Sequence, residues 1–323
     1  MAVLARDLRF YGSASMPDDD SATNIGGAVD VSVQVAFRSA AGLFQLVSDD
    51  SGDTESVEIF YKDSAQVVQS EAQSLTGLTP VAYAAVVTRL LKAVKAGSTA
   101  GNVAVERQTA ARLATAQAGT VDGITLDSGA SAVDGAYRSM IIRITTGTGA
   151  GQIRRIVQYT GADKIALVNR PFSPAPDNTS VFRIAEGFFF EVEPDECLEV
   201  RRLHYAVAAD IFGGVERDYY DKFFIKNLSG DPFITVTVSE ASDPEGQLDF
   251  ALESTVDGSG TNGSGNNRQV EPVAGVSAFS SLAKAVPGGD LDPGQAIGVW
   301  SHLTLPAGDP STDTIYAVQI SGT

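Results

Sequence analysis

The strongest constraint in this sequence is an alternation of apolar and polar residues with period two, recurring along its whole length. Val29, Val31, Val33, Val35 and Phe37 fall on one side of an extended chain, with Asp30, Ser32 and Gln34 on the other. Val57, Ile59 and Tyr61 repeat the pattern. Successive strand side chains point to opposite faces, so this spacing buries one face of a sheet and wets the other. The chain is therefore expected to be mainly β. At 323 residues it is long enough for two or three domains.

Punctuation between the alternating runs suggests how they connect. Runs at 140–144 and 153–159 flank the turn Gly147-Thr148-Gly149-Ala150-Gly151, and a third run at 164–168 follows Thr160-Gly161-Ala162-Asp163. Three strands joined by two short turns read as an antiparallel meander, with a fourth strand at 180–184 after Pro171, Pro174 and Pro176. Seven further runs, at 188–192, 198–207, 223–226, 233–239, 248–252, 297–305 and 315–320, suggest a sandwich of two antiparallel sheets. The stretch 257–267, rich in Gly, Ser and Asn, reads as a mobile loop. One short helix is open near residues 80–96, with Thr79 as cap, Pro80 in the first turn and Gly97 beyond the end. Val81, Ala84, Ala85, Leu91 and Val94 would share its face, whereas β-branched residues between 86 and 94 favour strands. The stretch 107–119 has the same ambiguity. These readings divide the chain into a β-rich domain at 1–118, a small β-meander or barrel module at 119–187 and a C-terminal β-sandwich at 188–323.

Charge follows that division. There are 23 Lys plus Arg against 40 Asp plus Glu, a net charge of -17, and residues 188–323 alone hold 7 basic and 21 acidic residues. Such a balance opposes a broad basic face for nucleic acid or anionic lipid, so no sequence-specific nucleic-acid partner is expected. The longest apolar run falls short of a membrane helix, and the first residues lack the apolar stretch of a secretion signal, so membrane insertion is not expected either.

Catalytic and metal chemistry is thinly represented. The turn at 147–151 has Gln152 where a dinucleotide fingerprint needs its third Gly, and a strand-like run follows in place of a helix. A hairpin is the simpler reading. Arg154 and Arg155 point to opposite faces of a strand, so they cannot grip one anion together, and solvated or interfacial ion pairs are their expected fate. Asp18-Asp19-Asp20 and Asp49-Asp50-Ser51-Gly52-Asp53 hold oxygens for calcium, but turn chemistry explains both. Cys197 is the only cysteine and lies among acidic residues that would raise a thiol pKa. His204 and His302, the only histidines, fall on strand patterns as partly exposed sheet residues. No catalytic residue, cofactor site or metal site is expected, and the chain is read as a non-enzyme. Trp300, Tyr205, Tyr219, Tyr220 and Phe188 to Phe190 would suit a sugar-stacking platform, but a core or interface consumes aromatics in the same way.

Three segments together carry a resemblance. Asp7-Leu8-Arg9-Phe10-Tyr11-Gly12-Ser13-Ala14, followed by Asp18-Asp19-Asp20 and Gly26-Gly27-Ala28-Val29-Asp30, resembles the opening of tailed-bacteriophage virion structural proteins. Residues 140–184 resemble a small β module of phage head and tail accessory proteins. Tyr220-Asp221-Lys222-Phe223-Phe224-Ile225-Lys226-Asn227, with 293–300 and 303–308, is similar to the C-terminal Ig-like body of the same proteins. The resemblance covers about half the chain and carries no catalytic motif. It implies a non-catalytic part of the virion, assembled in the host cytoplasm as a symmetric multimer and belonging to the tail or neck machinery. Capsid decoration is the alternative, and a carbohydrate-binding module a further one. Partners would be copies of the chain and other virion proteins. Phe10, Tyr11, Phe188, Phe189, Phe190, Tyr219 and Tyr220 are the candidate interface residues.

Overall fold

Alternating residues become antiparallel strands almost everywhere in the computed structural model, which describes residues 3–16, 26–36, 41–192, 196–204, 216–243, 246–261, 268–272, 275–307 and 317–323. The helical content of these residues is one 3-10 turn, Ala5–Asp7. Among the described residues no helix is long and apolar enough to cross a membrane. The chain divides into two compact units, Met1–Phe37 with Arg202–Thr323, and Arg38–Arg201. The three segments drawn from the sequence map differently: 119–187 lies wholly inside the second unit, and 1–118 and 188–323 are each split between the two.

The first unit opens with β1 (Leu8–Ser13) and β2 (Val29–Val35). The second unit follows with β3 (Phe44–Ser48), β4 (Ser56–Lys62), β5 (Val68–Ser74), β6 (Val81–Ala82), β7 (Arg89–Lys95), β8 (Val103–Arg107), β9 (Arg112–Thr115) and β10 (Ala118–Thr120). It continues with β11 (Gly123–Thr125), β12 (Ile141–Thr146), β13 (Ile153–Thr160), β14 (Ile165–Val168), β15 (Val181–Ala185), β16 (Gly187–Phe190) and β17 (Glu199–Arg201).

Within this second unit the strands lie in the orders β17-β7-β4-β5, β16-β8-β3-β6 and β10-β11-β14-β13-β12-β15-β9. The β16-β8-β3-β6 sheet is covered on both faces. On one, Val47, Ala104 and Phe189 pack against Ile141 and Ile153 of the seven-stranded sheet. On the other, Phe44, Leu46, Val103, Val105, Phe188 and Phe190 are fully buried. There Lys95 Nζ of β7 lies 5.6 Å over the Phe190 ring, and Tyr83 donates to the Val57 carbonyl of β4. Burial on both faces explains why GFFF and FQLV read as continuous apolar runs. In the seven-stranded sheet, β9 and β10 are the two end strands and also chain neighbours, joined through Ala116 and Gln117. The sheet therefore rolls around its own core of Ile124, Ile142, Ile144, Ile156, Tyr159, Val168, Phe182 and Ile184.

Residues 80–96 form no helix. They hold β6, a turn and β7, and β7 is paired with β4 on one side and β17 on the other. Of the five residues expected on the helical face, Leu91 alone is buried, while Ala84 is exposed. Pairing on both sides satisfies the β7 backbone, and its β-branched and aliphatic residues suit a pleated surface better than a helix. The stretch 107–119 likewise contains β9 and the start of β10.

The first unit resumes with β18 (Arg217–Asn227), β19 (Thr237–Ser242), β20 (Leu248–Leu252), β21 (Lys284–Ala285), β22 (Ala296–Leu305) and β23 (Ala317–Ser321). Strands in the order β20-β22-β18-β1-β2 face the small sheet β21-β19-β23. Leu8, Val35, Phe223, Ile225, Val238, Leu252, Ile297 and Val299 fill the space between them, as in a sandwich. The C-terminal strands do not complete this sandwich alone. β1 pairs with β18, Leu8 opposite Asn227 through Gly12 opposite Phe223, so the N-terminus supplies part of the sheet. The run expected at 233–239 starts as a strand at Thr237, with Phe233 in an isolated bridge to Leu291. The strand expected at 198–207 ends at Arg201, and residues 205–215 lie outside the described residues. So do 262–267 of the expected loop and 315–316 of the last expected strand.

Candidate functional site

The aromatic residues expected at an interface are in the interior of the chain itself. Tyr11, Phe188, Phe189, Phe190, Tyr219 and Tyr220 are all buried, and Phe10 is half-buried with its ring 6.3 Å from Phe223. Trp300 is fully enclosed, packed with Met16, Tyr220 and Ala251, so it offers no sugar platform. Tyr205 lies outside the described residues. Tyr220 stacks on His302 at 4.5 Å with Phe279 edge-on to both. Burial, with Glu271 and Asp218 adding to it, pushes the Tyr220 hydroxyl up to about 12.

The glycine turn is a hairpin between β12 and β13. Gly147, Gly149 and Gly151 have positive φ, and a side chain at Gly147 would strike the Thr179 carbonyl. Its amides are already used: Ala150 donates to Gly147 O, Gly151 to Ile144 O and Gln152 to Gly149 O. Arg154 and Arg155 do turn opposite ways, but Arg154 is buried, not solvated. Its guanidinium reaches Asp49 Oδ2 at 3.1 Å and the Pro171 carbonyl at 2.9 Å, while Arg155 lies 3.5 Å from Glu191.

The acidic loop 49–53 is consumed in the same way. Asp49 accepts from the Asn102 amide and side chain, and Asp53 from the Ala100 and Gly101 amides. N–H donors thus occupy the oxygens that a cation would need. Asp18 to Asp20 lie outside the described residues, among which no cluster suited to a metal occurs. Cys197 is buried, and its thiol donates to the Glu199 carbonyl.

The fold brings His204 to residues far from it in the sequence. His204 Nε2 is 2.7 Å from Ser301 Oγ, and Asp221 Oδ2 accepts the His204 backbone N–H at 3.0 Å. Asp221 and Ser301 are opposite each other on β18 and β22. Ser301 is 2% exposed, so no substrate reaches its hydroxyl, and the arrangement pins the chain after β17 to the sheet. His204 has φ +51°, consistent with a residue held by its contacts. His302 is partly exposed on β22, with Nε2 2.8 Å from Asp218.

Two buried charge constellations were also missed. In the second unit Glu106 is fully buried on β8, with Arg143 of β12 at 2.9 Å, Arg183 of β15 at 3.2 Å and the Gln45 amide at 2.6 Å. In the first unit Lys222 Nζ sits 2.6 Å from Glu253 Oε1, with side chains 0% and 2% exposed. Nothing local in the sequence marked Glu106 or Lys222 as buried, or indicated which strand would bring the opposite charge.

On one sheet two rows of outward positions carry no charge, with Asp122 in the turn at one end and Asp163 and Lys164 at the other. They run across β10, β11, β14 and β13 as Thr120-Gly123-Leu167-Gln158 and Ala118-Thr125-Ile165-Thr160. Ile165 and Leu167 are each 37% exposed, Val121 in the adjoining turn is more so, and Leu167 lies over Gly123, where a side chain would crowd it. Comparison with protein-family models, curated proteins and solved structures gave no match.

Proposed function

We propose that the chain is a non-catalytic structural component of a tailed-bacteriophage virion, assembling as a symmetric multimer in the tail or neck machinery. Its resemblance to such proteins in 7–14, 140–184 and 220–227 supports the virion role. The observation that carries the assembly role is the pair of uncharged rows across β10, β11, β14 and β13. Copies carrying a charge of -17 repel one another at long range. A face with no charge among its eight residues lets two acidic molecules meet without burying like charges. A second copy of the chain is the occupant we assign to it.

Gold-labelled antibody against the chain, applied to intact and opened virions and viewed by negative-stain electron microscopy, tests the role. Label along the tail or at one vertex is expected. Label over the shell would replace the tail assignment with capsid decoration, and no label on either preparation would overturn the virion role.

A further inference from the structure

Lys222 and Glu253 occupy a site built for close approach. Lys222 on β18 is opposite Trp300 on β22, and Glu253 follows the end of β20, its backbone N–H bonded to the Gly298 carbonyl. Gly298 stands opposite Phe224, so the two long side chains come from strands on either side of β22 and meet above a residue with no side chain. A Cβ at Gly298, Gly258 or Gly260 would strike the Glu253 carboxylate. The glycines therefore clear the path and also seal it.

The amine and carboxylate are dry and oriented. Lys222 Nζ donates to the carbonyls of Gly27 at 2.5 Å and Gly260 at 2.9 Å as well as to Glu253. The Phe224 and Trp300 rings lie 4.7 and 5.5 Å from it. The two carboxylate oxygens are unlike. Oε1 also accepts the Gly260 N–H at 2.7 Å, whereas Oε2 is buried with no hydrogen-bond partner among the described residues. Burial lowers the Lys222 pKa, against the opposing pull of Glu253, and so favours the neutral amine. An isolated carboxylate oxygen buried without a partner is costly, and a neutral linkage removes that cost.

We propose that Lys222 and Glu253 are joined by an intramolecular amide bond, a covalent clamp that spans β18, β22 and β20. The ammonium first passes one proton to the carboxylate, leaving an amine and a carboxylic acid. The nitrogen lone pair attacks Cδ, and Oε1, held by the Gly260 N–H, carries the charge of the tetrahedral intermediate. The Cδ–Oε2 bond then breaks, and Oε2 leaves as water with the first proton and a second from nitrogen. One N–H remains, with Gly27 O or Gly260 O to accept it. No oxidant, reductant or cofactor enters the balance. Holding the reacting groups at contact distance is what makes such a condensation fast enough to occur inside a fold.

The test is the intact mass of the full chain, followed by peptide mapping. The wild-type protein is expected to be lighter than its sequence by one water, and its digest to contain a branched peptide linking the Lys222 and Glu253 segments. Lys222→Arg and Glu253→Ala should each restore the full mass. Succinimide formation at Asp257-Gly258 also removes water, so the branched peptide decides between the two. Full mass in the wild type, or a water loss that persists in Lys222→Arg without the branched peptide, would overturn the proposal. The wild-type measurement stands alone if the variants fold poorly, and its failure would leave the virion labelling result untouched.

Discussion

Glu106→Gln is the most informative single change in the second unit. The glutamate is fully buried between Arg143 and Arg183, whose side chains are 12% and 8% exposed. Burial lowers the Arg183 pKa, and Glu106 is the group that opposes this, so removing its charge leaves two guanidiniums with little access to water. Breaking a buried pair from one side costs about 3–5 kcal/mol. The glutamine retains an acceptor for one arginine, which points to the lower end, about 3 kcal/mol. In a unit of this size that corresponds to a fall in Tm of about 6–12 °C. Calorimetry and urea titration followed by far-UV circular dichroism would measure it. Glu106→Leu with Arg143→Met and Arg183→Met should recover most of the loss, because an apolar set of similar volume needs no charge balance. A cost below about 1 kcal/mol for Glu106→Gln, or a triple variant no more stable than Glu106→Gln, would refute the reasoning.

Gly147→Ala must hold a side chain at φ +81° against the Thr179 carbonyl, and should lower stability by about 1–3 kcal/mol or more in urea titration. Asp127 has its pKa lowered, chiefly by the Arg112 hydrogen bond, with burial opposing. Its contribution is therefore complete above the ordinary aspartate value and is lost as pH falls through the lower folded value; urea midpoints from pH 7 to 2 should fall less steeply for Asp127→Asn than for the wild type. Leu167→Glu places a charge on the face proposed for self-association and should shift the proposed multimer toward monomer by light scattering, with unchanged circular dichroism. Trp300 is fully buried, so acrylamide should quench its fluorescence only weakly, and sugars should leave it unchanged.

Local pattern was enough for most individual strands. The runs at 29–35, 57–61, 153–159, 248–252 and 297–305 alternate or stay apolar, and each became a strand at or within a few residues of its expected place. The hairpin at 147–151 was equally legible, because positive φ at three positions is a demand that glycine meets at once. The stretch 80–96 was ambiguous for a physical reason: its residues tolerate either period, and the choice fell to pairing with β4 and β17, which no local window contains. The interface aromatics show the same limit. Phe188 to Phe190 are apolar in sequence whether a neighbouring molecule covers them or, as here, two other layers of the same unit.

A mainly β, acidic chain with antiparallel hairpins and glycine turns follows from adjacent residues alone, since side-chain direction, turn geometry and charge are properties of a few neighbours. Tertiary structure alone decided which strands share a sheet, as in the pairing of β1 with β18 and the rolling of the module around its own core. It alone decided that Glu106 meets two arginines and Lys222 meets Glu253. Alternation states which side of a strand is dry, but the partner on that side comes from distant chain, and only packing of the whole unit selects it.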